Sequence, residues 1–403
     1  MDKGWPAGPW TGQRSVAGKL QRFQPASSSL QPASSSLQSP ASPSPRSSSS
    51  PPEMASAAWG ACALLAAVCS LWFACSTVDA VGWAEKFGDN INLTLYLRDQ
   101  NVTFNINDSA KILAHRGFDK AKPTVLYMHG YTESNQSASV GLVANAFLKR
   151  GDHNFILVDW NYYAETPYVR AFFNLFQVSH ALARAITRMV KAGLRKDSLW
   201  IVAHSLGGQL AGVTAKDLDF KLPRITALDP ALPGFTFEGI PNLSPEDAEL
   251  VDVIHTDAGF FGFTQQNGHL DFWPNNGTRV QPGCPNYTGV GLYDGHCSHH
   301  RSWHFFAEAL ANETAFPAVR CPSWEDFTKD GCQHNDVVYM GIKAGTARGK
   351  RGKYYLVTSN EAPFGKGKAG IANIASGSSF TGWISSITGI GSKPLPTNWG
   401  WDS

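Results

Sequence analysis

The sequence predicts an α/β architecture, a mostly parallel central sheet with helices on both faces. Three observations predict it. Short apolar runs near 124–128, 154–158, 199–204, 224–228 and 251–255 read as buried strands. Segments of helical periodicity near 167–193 and 206–218 separate some of them, and that alternation builds parallel sheets. The chain has 403 residues and 43% hydrophobic content, enough for one large core. Residues 354–357 add a late strand.

Taken in order, residues 1–53 stand outside that core. They are low in complexity, repeat one seven-residue unit at 25–31 and 32–38, and are expected to be disordered. Met54 opens an apolar segment that runs to Cys75, and Val78-Asp79-Ala80 fits a small-residue cleavage site before Val81. Residues 54–80 therefore read as a signal peptide that directs the chain to secretion. The rival reading is a signal anchor, since the run is nearly bilayer-long and Arg14, Lys19, Arg22 and Arg46 precede it. The cleavage site favours secretion, although no Lys or Arg follows Met54 in the leader.

Cysteine usage agrees with that compartment. Cys62, Cys69 and Cys75 belong to the leader. Cys284, Cys297, Cys321 and Cys332 remain, an even set suited to two disulfides, with three pairings open. Sequons at Asn92, Asn101, Asn107, Asn135, Asn242, Asn276, Asn286 and Asn312 fit a glycoprotein. A formal net charge of +2 implies no general attraction to nucleic acid. Lys343, Arg348, Lys350, Arg351 and Lys353 lie between strand-like runs at 337–342 and 354–357, and read as a solvated hairpin tip rather than a contact for anionic headgroups or sulfated glycans.

The stretch Leu199-Trp200-Ile201-Val202-Ala203-His204-Ser205-Leu206-Gly207-Gly208 carries the chemistry. An apolar strand delivers Ser205 onto a sharp turn before a helix, with small residues two before and two after it, as in a nucleophile elbow. A serine N-cap on an ordinary turn reads the same way, so the partners must decide. A short strand over 224–228 ends in Asp229, and His296, His299 and His300 follow much later. A serine hydroxyl needs an imidazole to take its proton, and the imidazole needs a carboxylate to orient it and stabilise its cation. An oxyanion hole would come from the Leu206 N–H and from an early loop, where Tyr131 follows His129 and Gly130. Asp252 and Asp257 also suit the acid, and His300 sits beside His299. His296, His299, His300 and His304 invite a zinc reading, but the chain has no H-E-x-x-H and no metal is expected. His115, His153 and His180 read as structural or surface residues.

Further pieces occur in a fixed order across residues 81–365: Met128-His129-Gly130-Tyr131, Val158-Asp159-Trp160, Leu228-Asp229-Pro230-Ala231, Val251 to Asp257, His269 to Asn275, Pro282-Gly283-Cys284 and Cys297-Ser298-His299. With these the chain resembles the pancreatic lipase family of secreted lipases, including its single-domain insect members and the phospholipases A1. The resemblance implies an α/β-hydrolase fold over 81–365, with Ser205 as nucleophile, Asp229 as acid and His299 as base. It also implies the pairs Cys284–Cys297 and Cys321–Cys332. The activity it implies is hydrolysis of glycerolipid acyl esters through an acyl-enzyme, at a membrane or micelle surface.

Finer expectations follow from the resemblance. Some members hold a structural calcium after the acid; Glu246 and Asp247 lie there, but ligand-type positions are missing and no cofactor is expected. The family's lid corresponds to 285–296, twelve polar and glycine-rich residues, and the segment from Asp257 to His269 is also short. Both resemble the phospholipases A1, so the sn-1 ester of phospholipids is the expected substrate, ahead of triglyceride or galactolipid. Residues 366–403 read as a Gly/Ser-rich tail without room for a β-sandwich domain, so no colipase is expected; Phe380, Trp383, Ile384 and Ile387 give it some apolar character. The alternative class is a non-catalytic lipid-binding or yolk-like protein, and such relatives have lost the serine that this chain retains.

Overall fold

A computed structural model describes residues 87–285 and 294–372. The N-terminal extension, the expected signal peptide, most of the expected lid with Asn286, and the tail beyond 372 lie outside the described residues.

The chain runs through β1 (Asn92–Tyr96), β2 (Asn101–Asn105), β3 (Thr124–Met128), α1 (Ala138–Arg150), β4 (Asn154–Asp159), α2 (Asn161–Ala164), α3 (Tyr168–Lys191), β5 (Leu199–His204), α4 (Leu206–Lys216), β6 (Leu222–Leu228), β7 (Ala248–Ile254), β8 (Leu270–Pro274), α5 (Cys297–Ala311), β9 (Pro317–Arg320), α6 (Trp324–Thr328), β10 (Val337–Tyr339) and β11 (Gly352–Leu356). The strands form one sheet in the order β10-β9-β11-β8-β7-β6-β5-β3-β4-β1-β2. The inner strands β4, β3, β5, β6, β7, β8 and β11 are parallel. β1 and β2 at one edge, and β9 and β10 at the other, run antiparallel to their neighbours.

Strand alternation divides the core in two. Val125 and Tyr127 of β3 and Trp200 and Val202 of β5 face a cluster with Phe147 of α1 and Phe306 of α5. Leu126, Met128, Ile201 and Ala203 face the opposite cluster, with Leu182 and Ile186 of α3 and Leu210 of α4. Strands buried on both faces lose the polar alternation of a half-exposed sheet, which is why they were legible as continuous apolar runs. The expected α/β architecture with helices on both faces is the observed one.

Register places the functional loops together. Met128 aligns with Ala203, His204 with Leu228, and Leu228 with Ile254. The segments holding Gly130, Ser205, Asp229 and His255 to Asp257 therefore leave the sheet at one level, where open parallel sheets present their sites.

One expectation fails. Residues 337–342 and 354–357 do not form a hairpin, because β9 lies between β10 and β11. The basic segment is instead a connection passing from β10 across β9 to β11. Arg348 pairs with Glu249, and Lys350 Nζ is 2.9 Å from Asp336.

Both pairs of cysteines are bonded as the resemblance implied, Cys284 to Cys297 and Cys321 to Cys332. The first joins the ends of the lid segment at the start of α5. Of the sequons, Asn101, Asn107, Asn135 and Asn312 are exposed, while Asn92, Asn242 and Asn276 are half-buried. Asn242 Nδ2 donates to the Phe235 carbonyl at 3.1 Å, a bond a glycan would have to replace. No described helix is long and apolar enough to cross a membrane.

Candidate active site

Ser205 occupies the turn between β5 and α4 with φ 54° and ψ −121°, a backbone conformation that L-residues rarely adopt. Neighbouring backbone holds it there. Its N–H donates to the Leu228 carbonyl at 3.0 Å, and its carbonyl accepts from Gly208 at 2.9 Å and Ala231 at 3.1 Å. Such a residue persists only when its surroundings fix it from several sides, as these bonds do. Gly207 is needed for a close approach of backbone. A Cβ there would lie 2.5 Å from the carbonyl oxygens of Met128 and His129, so the crowding comes from the end of β3 and not from β5 itself.

Asp229 ends β6 in the left-handed region, at φ 49°, and is wholly buried. Its Oδ1 accepts from the amides of Thr256 at 2.8 Å and Asp257 at 3.1 Å. Its Oδ2 accepts from His299 Nδ1 at 2.6 Å. Among the described residues no hydrogen bond engages His299 Nε2, the nitrogen left to face another group. His299 lies in the first turn of α5, two residues after the disulfide-bonded Cys297. Its ring stands 4.7 Å from that of His204, the residue before Ser205.

The competing residues have other partners. Both carboxylate oxygens of Asp257 are held by Arg279, through Nε and Nη2 at 2.6 Å each. Burial raises the Asp257 pKa, with the Arg279 hydrogen bond opposing that and Asp229 adding to it. Asp252 lies in β7 and binds Arg224 at 2.7 and 3.0 Å, together with the Thr226 hydroxyl. His300 is largely buried, and that burial, helped by His204 and His299, depresses its pKa to about 3. His304 Nδ1 donates to the His300 carbonyl at 2.9 Å, and burial lowers its pKa to about 4. His296 stacks on Phe261 at 4.7 Å.

Two metal readings meet these partners. Asp229, Asp257 and His299 bring ligand-type atoms within 4.8 Å of one another. A cation there would have to displace the Arg279 guanidinium and the two backbone amides on Asp229. In the region where the resemblance allowed a structural calcium, Asp247 Oδ1 already binds Lys216 Nζ at 2.5 Å and Oδ2 accepts from the Ser244 amide at 2.8 Å. Those residues do not fit a calcium ion.

Of the expected oxyanion donors, Leu206 stands at the first position of α4, where an N–H has no carbonyl four residues back within the helix. Tyr131 follows Gly130, whose Cβ position would lie 2.9 Å from Ser205 Cβ. Sequence reasoning missed four residues here. Gly262 leaves room for Asp229, since a Cβ would lie 2.4 Å from Oδ1. Arg279 holds Asp257, and Glu133 and His204 pair beside the elbow at 3.0 Å. No spacing rule marks any of the four. They act through neighbours that are distant in the chain.

Large apolar side chains are exposed in the segments that leave the same end of the sheet. Tyr162, Val169, Phe173, Phe237 and Phe260 are large and exposed, with side chains in the segments that follow β4, β6 and β7. Tyr131 packs edge-on against Tyr168 at 5.1 Å, and Phe261 lies 5.6 Å from His299.

Comparison with known proteins agrees with this architecture. The family model described as Lipase matches residues 69–364, more than half of the chain. Lipase member H-A of Xenopus laevis is 34% identical over 251 residues, covering 61% of this chain and 54% of that protein. Lipoprotein lipase of Mus musculus is 35% identical over 271 residues, covering 61% and 57%. Pancreatic triacylglycerol lipase of Myocastor coypus is 30% identical over 325 residues, covering 73% and 70%. The match thus takes in little more than half the length of the first two relatives.

Proposed function

The chain belongs to the lipase family, and on that premise we propose that it is a secreted serine hydrolase of glycerolipid acyl esters, with Ser205 as nucleophile, His299 as base and Asp229 as acid. The observation that supports this most is the 2.6 Å bond from His299 Nδ1 to the buried Asp229, with Nε2 left over, beside a serine in a strained elbow. Asp229 fixes the imidazole tautomer and stabilises the cation that forms. His299 Nε2 takes the proton as Ser205 Oγ attacks the ester carbonyl. The N–H groups of Leu206 and Tyr131 donate to the oxyanion. The proton passes to the departing alcohol, and water then releases the fatty acid by the same steps in reverse roles.

The substrate proposed is the sn-1 ester of phospholipids. The short, polar segment 285–296 supports it, being too short and glycine-rich to form a stable covering helix. The exposed aromatic and aliphatic residues in the segments after β4, β6 and β7 support a lipid surface as the place of action. Secretion is supported by the leader at 54–80 and by two disulfides. The test treats purified protein with a fluorophosphonate and then assays phosphatidylcholine, galactolipid and triolein. Labelling at Ser205, lost in Ser205→Ala, with sn-1 release from phosphatidylcholine is expected. Strong triolein turnover with a step at the interface overturns the phospholipid assignment, and a folded protein that neither labels nor hydrolyses overturns the enzyme.

A further inference from the structure

Glu133 stands in the loop after β3, and one of its carboxylate oxygens serves two elements at once. Oε2 accepts from the Gly130 N–H at 2.5 Å and from His204 Nδ1 at 3.0 Å. Gly130 begins the loop that carries Tyr131, and His204 immediately precedes Ser205. The Glu133 N–H returns a bond to the Gly130 carbonyl at 3.3 Å, which closes the turn on itself.

That turn has reason to need an anchor. Thr132 sits at φ 59°, in the left-handed region, where a β-branched residue is strained. Its N–H donates to the Ala164 carbonyl at 3.3 Å, and Asn161 Nδ2 donates to the Glu133 carbonyl at 3.0 Å. A backbone bond and the Asn161 side chain thus hold one side of the turn, while the Glu133 side chain holds the side facing Ser205. The space is tight: a Cβ on Gly130 would meet Ser205 Cβ at 2.9 Å and Glu133 Oε2 at 3.1 Å. Burial pushes the Glu133 carboxyl up, but His204, the Gly130 N–H and His129 outweigh it and hold the group well below the usual carboxylate range. A carboxylate accepting two hydrogen bonds in such surroundings is a firm anchor.

We infer that Glu133 is a positioning residue for the oxyanion hole. Its carboxylate fixes the His129–Gly130 peptide against the serine elbow, and with it the start of the adjoining Gly130–Tyr131 unit, whose carbonyl accepts from His129 Nδ1 at 3.0 Å, so that the Tyr131 N–H is already aimed when charge develops on the carbonyl oxygen. The inference rests on the hydrolytic reading above. A preorganised donor needs no reorganisation during reaction, whereas a loosened one aids the transition state more than the ground state only after being re-fixed.

Glu133→Ala removes the acceptor, and Glu133→Gln keeps one for both donors. With phosphatidylcholine as substrate, Glu133→Ala is expected to lower kcat on the order of 10²-fold with KM changed by less than about threefold, while Glu133→Gln recovers to within about tenfold of wild type. The rate of fluorophosphonate labelling should fall in parallel. Crystal structures of both variants should show the His129–Gly130 peptide, and with it the Tyr131 N–H, turned in Glu133→Ala and unmoved in Glu133→Gln. Unchanged kcat in Glu133→Ala, or a loss that tracks only the unfolded fraction, overturns the inference. If wild type hydrolyses no ester, the hydrolytic reading fails by itself and the backbone comparison decides: a turned peptide upholds the anchor, an unmoved one removes it.

Discussion

Two buried imidazole–carboxylate pairs lie close together in this protein. His299 Nδ1 binds Asp229 at 2.6 Å, and His255 Nε2 binds Asp271 at 2.8 Å. All four residues are almost wholly buried. The difference is in the second ring nitrogen. His255 Nδ1 meets the Phe263 carbonyl at 3.2 Å, and its ring stacks on Trp273 at 3.8 Å. His299 uses one nitrogen and keeps the other. Asp271 is further tied to the amides of Asn267 and Gly268, which locks the loop before β8. One pair therefore serves as an internal brace, and the other keeps the nitrogen that the proposed base requires. Burial and charge pairing do not separate these two pairs; the second ring nitrogen does, although His204, paired with Glu133, also leaves its Nε2 without a partner among the described residues.

The comparison breaks most clearly at the carboxylates. Asp229→Asn should lower kcat on the order of 10⁴-fold in the folded protein, because the imidazole loses its oriented tautomer and its counter-charge. Asp271→Asn should act the other way round. Urea unfolding is expected to show a loss of about 1–3 kcal/mol, as for weakened hydrogen bonds at a buried acceptor, while specific activity of the folded protein stays near wild type. Equal catalytic loss in both variants ends the distinction.

Gly262→Ala gives a subtler probe. The added methyl meets Asp229 Oδ1 at 2.4 Å and must displace the carboxylate. A misplaced acid should cost about 10² in kcat with much less effect on KM. Asp257→Asn, which loosens Arg279 but leaves the Asp229–His299 bond, should stay within about tenfold of wild type in kcat/KM. If Asp257→Asn is instead as inactive as Asp229→Asn, the acid has been misassigned.

The smallest expected effect concerns His300, adjacent to His299 and largely buried. Its pKa is depressed to about 3 by burial, with His204 and His299 adding to the effect. The unfolded chain takes up a proton near pH 6.5, well before the folded protein does. His300 therefore contributes stability above pH 6.5 that is lost as pH falls toward 3. His300→Gln should flatten the pH dependence by about 2 kcal/mol between pH 7 and 5, read from urea midpoints at the two values. An unchanged slope shows that His304 and the carboxylates set the acid limb instead.

Much of the fold was legible because its strands are buried on both faces. The residues of β3 and β5 were bounded by sequence as the structure bounds them, at 124–128 and 199–204. β8 escaped notice as a strand because it carries Asp271 at its second position, a charge tolerated inside the sheet only beside His255. The hairpin expected around Lys350 failed because neighbours in sequence were taken as neighbours in the sheet, and β9 intervenes. Ser205 stood out through its strand-end placement, while Asp229 and His299 were preferred over Asp252, Asp257 and His300 only through the family resemblance. Glu133 did not, since an acid in a polar loop carries no pattern until His204 and Gly130 are folded against it.

Composition and periodicity alone determined the class of fold, the inner strands and the kinds of side chain at their ends. They follow from local rules: apolar runs seek burial, and a serine between small residues suits a tight turn. Only the tertiary structure decided which carboxylate reaches which imidazole. Asp229 and His299 are 70 residues apart, yet a hydrogen bond requires contact within about 3 Å. That distance is set by sheet register, by the disulfide at the start of α5 and by the close approach of Gly262. None of these is a property of any single segment of chain.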